Sequence, residues 1–306
     1  MEWIWWIIFC FLLLSVFGMT PAKVSAVVCD LLLLPFALLA TFVVFLTKGF
    51  HEKYEQSIEL KNVTHARNKN NILVVFLHGS GFNWVEWMPT MWALQLLFWM
   101  DRKLWVENKV HPRHIRFLTF NYAEGWLSNA QESGVEMYAN VVTHKLNEYT
   151  KYDHNNNHNN KNQLLHTIFV GHSLGGLVAN LSAQLLAKCN KKWNVLGIVT
   201  IGTPWRGSPL IERLPRWIVP RNTRRYEEMM PSSAHLKAVS KDHPIHALSS
   251  RHDFLVPGEC GLPLTSDSGR LVNGLGHYSL ICSLNTWRFI MESLYCFISE
   301  SAVDSR

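Results

Sequence analysis

The chain lacks the cysteine pattern of a zinc site. Its six cysteines include no Cys-x-x-Cys pair, a spacing common among cysteine-based zinc sites. Cys10 and Cys29 fall in apolar N-terminal sequence. The other four are scattered, and they fit two disulfides or free thiols equally well. The polar tract with His154 and His158 offers no better metal pattern. We therefore expect no metal and no other cofactor.

The basic residues form no cluster typical of a nucleic-acid module. The net charge is +6 and the isoelectric point about 9.0, but Lys and Arg are spread along the chain. This distribution argues against a nucleic-acid partner. A moderate basic bias suits an anionic membrane surface better.

The N-terminal 47 residues have almost no charge. Residues 3–19 have none, and residues 24–46 contain only Asp30. Segments of this length span roughly 25–35 Å as helices, enough for a bilayer core. Glu2 precedes them without any Lys or Arg, which argues against a signal peptide. The pattern predicts a membrane hairpin; a single anchor and a buried core hairpin are the alternatives.

Flanking charges indicate the orientation of this anchor. The loop between the two segments carries only Lys23, whereas Lys48, Lys53, Lys61 and Arg67 lie within about twenty residues of the second segment, in the polar linker 48–71. The positive-inside tendency then places the following domain in the cytosol. The glycosylation sequon at residues 62–64 points the other way. We expect a membrane protein with a cytosolic-facing domain.

Residues 72–300 alternate between strand-like and helix-like patterns, and nothing indicates a second globular domain. Such alternation predicts an α/β domain with a mostly parallel sheet covered on both faces. A long insert, residues 205–243, interrupts it and resembles a mobile lid. Strands are predicted at 71–77, 115–122, 167–170, 195–201 and 245–249, and helices at 84–100, 132–152, 177–188 and 284–298.

The most specific motif is Gly171-His172-Ser173-Leu174-Gly175, which lies between a predicted strand and a predicted helix. Gly-x-Ser-x-Gly in this context is a nucleophile elbow. The tight turn exposes the serine hydroxyl, and it aims the first helical N–H groups at a developing oxyanion. The motif predicts Ser173 as nucleophile and the N–H of Leu174 as an oxyanion donor.

A serine nucleophile needs an acid further along the chain to orient its base. Asp253 follows directly after the strand predicted at 245–249, where α/β sheets place functional groups. Its rivals, Asp242 and Asp267, have no strand directly before them. We therefore predict Asp253 as the acid.

The base is predicted at His277, which comes 24 residues after Asp253 in the expected Ser, acid, His order. Gly276 lets its loop approach the nucleophile, and the last helix anchors it. His246 and His252 are the competitors.

A second oxyanion donor is expected after the first strand of the domain. The sequence there is His78-Gly79-Ser80-Gly81, and the backbone N–H of Ser80 is the predicted donor. An ordinary glycine turn is the alternative.

Together these motifs, with the Gly-Thr-Pro-x-x-Gly-Ser segment at residues 202–208, resemble the α/β-hydrolase superfamily. Within it, the chain is similar to the lipase and inositol-deacylase-like branches, over roughly residues 70–300. The resemblance implies a triad of Ser173, Asp253 and His277, with Ser80 and Leu174 as oxyanion donors. Trp205 stands where many lipases have a histidine. The resemblance does not extend to residues 1–47.

Apolar sequence near the motifs indicates a lipid substrate. The insert adds Trp217 between Arg216 and Arg221, a pattern suited to anionic headgroups. The leading hypothesis is a membrane-anchored serine hydrolase of lipid or long-chain acyl esters. A thioesterase or acyltransferase with the same triad, and a non-catalytic scaffold for membrane partners, are the alternatives. The residues proposed to line an acyl pocket or to face a membrane are Phe82, Trp84, Trp87, Met88, Trp92, Phe98 and Trp99.

Overall fold

The computed structural model describes twelve stretches of the chain and one isolated residue. Among these residues, no helix is both long enough and apolar enough to cross a membrane. The predicted segment 3–19, the linker 48–71 and most of the predicted segment 24–46 lie outside them. The described residues are 22–23, 25–30, 72–80, 82–100, 115–119, 121–122, 134–156, 164–189, 192–213, 224–233, 236, 242–264 and 267–304.

Six parallel strands form one sheet in the order β2-β1-β3-β4-β5-β6. Chain order reverses at β1, which pairs with β2 on one side and β3 on the other. Ligands bind α/β sheets beyond the carboxyl ends of the strands at such a reversal. The strands are β1 (Ile72–Leu77), β2 (Ile115–Thr119), β3 (Leu165–His172), β4 (Trp193–Ile201), β5 (Ile245–Ser250) and β6 (Ser268–Val272).

Alternate residues of each central strand face two separate cores. In β1, Leu73, Val75 and Leu77 pack into one apolar cluster, while Val74 and Phe76 pack into the other. Two helices cover the first face, α2 (Val135–Asn156) and α3 (Leu174–Cys189). Two more cover the second face, α1 (Met88–Met100) and α7 (Leu284–Asp304). The prediction of a parallel sheet covered on both faces is confirmed.

Three shorter helices also lie within the described part of the domain. They are α4 (Pro209–Arg213) and α5 (Arg224–Glu228) in the insert, and α6 (His277–Ile281) before the last helix. Two 3-10 turns, at Trp84–Trp87 and Gly258–Gly261, follow β1 and β5.

The structure differs from the predicted secondary structure most clearly in three places. β6 was not predicted, because Ser-Gly-Arg-Leu-Val has neither an apolar run nor a clean alternation, as suits a strand at the edge of the sheet. The helix predicted from residue 84 begins instead as a 3-10 turn, and the α-helix starts at Met88. Helix α2 continues to Asn156, four residues into the tract expected to be a mobile connection.

The described C-terminal part of the insert is docked on the domain. The carboxylate of Glu228 accepts a hydrogen bond from the N–H of Val135 at the start of α2 (2.6 Å). Arg224 joins Glu228 (3.0 Å) to Glu136 (2.7 Å). The Ser208 N–H donates to the Met229 carbonyl across the insert (2.7 Å). A lid role for the insert stays a prediction, and residues 214–223 lie outside the described part.

Candidate active site

Ser173 occupies a strained turn between β3 and α3. Its φ of 53° makes it the one non-glycine residue with positive φ among those described. A left-handed conformation costs a side-chain-bearing residue about 1–3 kcal/mol and clusters at functional sites. The Ser173 N–H donates to the Ile201 carbonyl (2.9 Å), which ties the turn to β4. The geometry is that of the predicted nucleophile elbow.

Two glycines make this turn sterically possible. A Cβ added to Gly175 would lie 2.3 Å from the Leu77 carbonyl oxygen, and one added to Gly171 would lie 2.5 Å from the Gly175 carbonyl oxygen. Real Cβ atoms do not approach backbone oxygens so closely. The first turn of α3 therefore packs directly on the end of β1, which fixes the height of Ser173 above the sheet.

Asp253 and His277 form a buried pair. The Nδ1 atom of His277 lies 2.6 Å from Oδ2 of Asp253, and each residue is about 2% exposed. The second oxygen of Asp253 accepts the N–H groups of Leu255 (2.8 Å) and Val256 (2.9 Å). These two bonds orient the carboxylate toward the imidazole.

The pair lies beside the elbow at the carboxyl edge of the sheet. Gly202 directly follows Ile201, the residue that binds the Ser173 N–H. A Cβ on Gly202 would lie 3.4 Å from Oδ2 of Asp253 and 3.5 Å from the His277 ring. The structure thus places the Asp253–His277 pair beside the turn that carries Ser173, and the roles of the three residues as a triad stay a prediction.

The charge state of His277 depends on its neighbours. Burial alone lowers the pKa of His277. The charge and hydrogen bond of Asp253, with the charges of Asp30 and Glu86, outweigh burial and raise the pKa above 6.5. The environment therefore stabilises an imidazolium, the state that a base reaches after taking the serine proton.

The loop after β1 lies against the nucleophile. A Cβ on Gly79 would come within 3.1 Å of the Ser173 Cβ. The Gly79 N–H itself donates to Oε2 of Glu86 (3.1 Å), so it points into the protein. Leu174 opens α3, where N–H groups have no partner within the helix. The roles of Ser80 and Leu174 as oxyanion donors stay predictions.

Glu86 connects the loops around the site, a role that the sequence did not predict. Its side chain is 5% exposed, and Oε1 lies directly against Nδ1 of His172, outside the angles of a regular hydrogen bond. The His172 Nε2 atom lies 3.2 Å from the His277 carbonyl oxygen. One buried carboxylate thus joins the Gly79 loop, the elbow and the His277 loop. The available signal was that Glu86 is the one charged residue between 72 and 100, His78 aside.

Three of the competing residues have other partners. Oδ2 of Asp267 accepts the N–H of Ile245 at the start of β5 (2.7 Å). His246 lies near the same end of β5 and contacts the Ser293 hydroxyl (3.0 Å). The His252 Nδ1 atom accepts the Gly274 N–H (2.8 Å).

Trp205 packs in the apolar core on the first face of the sheet. It is buried, and its indole N–H donates to the Thr200 hydroxyl (3.1 Å). Within the described stretches, no cluster of three or more His, Cys, Asp or Glu side chains is arranged to hold a metal ion.

Comparison with protein families identifies the domain. The model of the PGAP1-like alpha/beta domain matches residues 68–257, which include Ser173 and Asp253. The chain belongs to this family. His277 lies beyond the matched region of the PGAP1-like domain. No curated protein matches the chain significantly.

Solved structures agree on the fold of the PGAP1-like domain. A protein from Agrobacterium vitis S4 described as a hydrolase has a TM-score of 0.50 at 18% identity, covering 76% of this chain and 89% of its own. The peroxisomal α/β-hydrolase Lpx1 from Saccharomyces cerevisiae also has a TM-score of 0.50, at 14% identity, covering 76% of this chain and 79% of its own. The resemblance seen in the motifs is confirmed, and the fold is that of the α/β-hydrolases.

Proposed function

We propose that this protein is a membrane-anchored serine hydrolase that cleaves lipid or long-chain acyl esters through an acyl-enzyme. The observation that carries the proposal is the buried Asp253–His277 pair beside a serine in a strained elbow. A structural turn has no need of a positive φ at a serine, nor of a carboxylate fixed on a buried imidazole. An ester hydrolase needs both.

The geometry supports a two-step reaction. With Nδ1 of His277 bonded to Asp253, Nε2 is left to take the proton of the Ser173 hydroxyl while Oγ attacks the ester carbonyl. The N–H groups predicted as oxyanion donors stabilise the tetrahedral intermediate. The imidazolium then protonates the leaving alcohol, and the acyl group stays on Ser173. Water, activated by His277, releases the acid.

An uncharged apolar surface beside the site supports a lipid substrate. Helix α1 contains no charged residue, and its buried positions, including Leu94 and Phe98, pack on the sheet. The Thr90 hydroxyl donates to the Ile281 carbonyl (3.0 Å), which joins α1 to the short helix that begins at His277. Four large side chains on the outer side of α1 are 56–66% exposed, which we name the α1 face: Trp92, Leu96, Trp99 and Met100.

The α1 face suits the interfacial region of a bilayer. Tryptophan concentrates at this depth because its ring is apolar and its N–H is polar. Substrate lipids would then enter the site from the membrane to which the chain is anchored. Of the aromatic residues predicted to line an acyl pocket or to face a membrane, Trp92 and Trp99 are exposed on the α1 face, whereas Trp87 and Phe98 are buried in the core.

Changing the α1 face should separate lipid from soluble substrates. We expect the double substitution Trp92→Lys and Trp99→Lys to lower kcat/KM for vesicle lipid by roughly tenfold or more, since two apolar contacts are lost. Hydrolysis of a short soluble ester should stay within twofold of wild type. Met137→Lys is the matched control, because Met137 is 37% exposed on α2, which packs on the opposite face of the sheet. Equal effects on both substrates would contradict membrane docking by this face.

The central test measures hydrolysis of esters with increasing acyl length in liposomes and detergent, with all products identified. Each methylene that enters an apolar pocket should raise kcat/KM roughly fourfold until the pocket is filled. A fluorophosphonate probe should label Ser173. Preference for acetyl esters would reject a lipid substrate, and acyl transfer to an added alcohol in place of water would identify an acyltransferase. Inert protein that the probe does not label would reject the hydrolase itself.

A further inference from the structure

The loop that carries His277 is held by a residue from the opposite end of the chain. Oδ1 of Asp30 accepts the backbone N–H groups of Ser279 (2.8 Å) and Tyr278 (3.2 Å). These are the first N–H groups after His277, and the preceding residue, Gly276, has no side chain to accept them. Free N–H groups at such a position need an acceptor, and here Asp30 supplies it.

The fit around this carboxylate is close. A Cβ on Gly276 would lie 2.2 Å from Oδ2 of Asp30, so only glycine leaves room for the carboxylate. The Gly276 N–H donates to the Ser279 hydroxyl (2.8 Å). Asp30 is also the one charged residue in the apolar run 24–46. A lone carboxylate in such a run is costly to bury unless it is hydrogen-bonded, and the two N–H groups satisfy it.

Asp30 also adds to the electrostatic environment of the base. The pKa of His277 is lowered by burial and raised by its carboxylate neighbours to a net value above the ordinary one. These carboxylates come from three places: the loop after β5, the N-terminal segment and the 3-10 turn after β1. The groups that face His277 are Asp253, Asp30, Glu86, the ring of His172 at 4.7 Å and the ring of Tyr278 at 5.5 Å.

We propose that Asp30 is a positioning residue of the hydrolase: it fixes the loop that presents His277 to Ser173, and it thereby couples the N-terminal segment to the active site. The inference rests on the proposed function. Because Asp30 makes this contact, the part of the N-terminal segment around it belongs to the catalytic architecture.

Three variants of the full-length protein test this role. Asp30→Ala removes both the acceptor and the charge, and Asp30→Asn keeps an acceptor oxygen without the charge. Cys29→Ala is the matched control, since Cys29 is a half-buried free thiol next to Asp30. The measurements are kcat and KM against pH, and the titration of the His277 imidazole by NMR with ¹⁵N-labelled histidine. His277→Gln assigns the signal by its loss.

We expect Asp30→Ala to lower kcat about tenfold, with little change in KM. Without the carboxylate the loop that carries His277 is held less firmly, and a misplaced base lowers the rate by about this factor. Asp30→Asn should recover most of kcat, because asparagine caps nearly as well as aspartate. Both variants should lower the pKa of the His277 imidazole, and Cys29→Ala should leave it unchanged.

Two results would overturn the inference. The first is wild-type kcat and an unshifted His277 titration in Asp30→Ala. The second is a loss of activity in Asp30→Ala that follows its melting temperature and is not recovered by asparagine, as expected of a merely structural residue. If wild type and Cys29→Ala are both inert, the proposed function fails. The imidazole titration then still decides whether Asp30 acts on His277.

Discussion

Replacing Ser173 with alanine is expected to lower kcat for ester hydrolysis by about 10⁶-fold, the order seen when a triad nucleophile is removed. No neighbouring hydroxyl shares the elbow, and His277 then has no proton to accept. A residual rate above water is expected, because the oxyanion donors and the binding surface remain. The measurement is burst and steady-state kinetics on the preferred ester, with covalent labelling by the phosphonate probe.

Ser182 provides the matched control for this loss. It is a buried serine on the same helix, α3, and its hydroxyl makes a long contact of 3.5 Å to the Ala139 carbonyl. Ser182→Ala should keep activity within a few fold. A second control uses the φ of 53° at Ser173: Ser173→Gly should be as inactive as Ser173→Ala yet about 1 kcal/mol more stable, since glycine adopts this conformation without strain. Activity in either Ser173 variant would reject the assignment of the nucleophile.

Two of the residues proposed as a triad, Ser173 and Asp253, could be predicted because each follows a strong local pattern. Ser173 lies between an apolar strand and a helix inside a glycine-framed motif, and Asp253 follows the end of a buried strand. In a parallel sheet the carboxyl ends of neighbouring strands meet at one edge. Placing β3 and β5 correctly was therefore enough to bring these two residues together.

The supporting residues could not be predicted in the same way, because their partners lie far along the chain. Asp30 contacts residues 248 and 249 positions away, and no local pattern specifies such a pairing. Glu86 belongs to the segment predicted as one helix over residues 84–100, and that prediction gives its carboxylate no partner. Both are lone acids within apolar sequence. Since an unpaired buried charge is costly, such a residue signals a contact even when its partner is unknown.

The edge strand β6 could not be predicted from the sequence for a different reason. Its sequence has low apolar content, and it pairs only with β5. Tertiary pairing, more than side-chain pattern, makes it a strand. Its end leads into the loop with Gly274 and then His277, so β6 sets where the loop that carries His277 begins, although no local pattern predicts this strand.

Replacing Asp253 with asparagine is expected to lower kcat by about 10⁴-fold, although the two side chains have nearly the same shape. Oδ1 of Asp253 accepts two N–H groups, from Leu255 and Val256, so the amide of asparagine must keep its oxygen there. Its NH₂ group then faces Nδ1 of His277. The imidazole must accept at Nδ1 and carry its proton on Nε2, where it cannot act as the base.

The pH profile distinguishes this loss from a general disruption. A base must be neutral, so activity falls as pH falls through the pKa of His277, which Asp253 raises against the effect of burial. As pH falls, the kcat/KM of wild type should therefore begin to drop with a midpoint above pH 6.5, the ordinary pKa of histidine. In Asp253→Asn the carboxylate charge is gone, so the remaining activity should persist to lower pH. Asp267→Asn is the control, because Asp267 also accepts a backbone N–H (2.7 Å) but lies away from His277. If Asp267→Asn lost as much activity as Asp253→Asn, or if the acid limb did not move, Asp253 would not be the partner of the base.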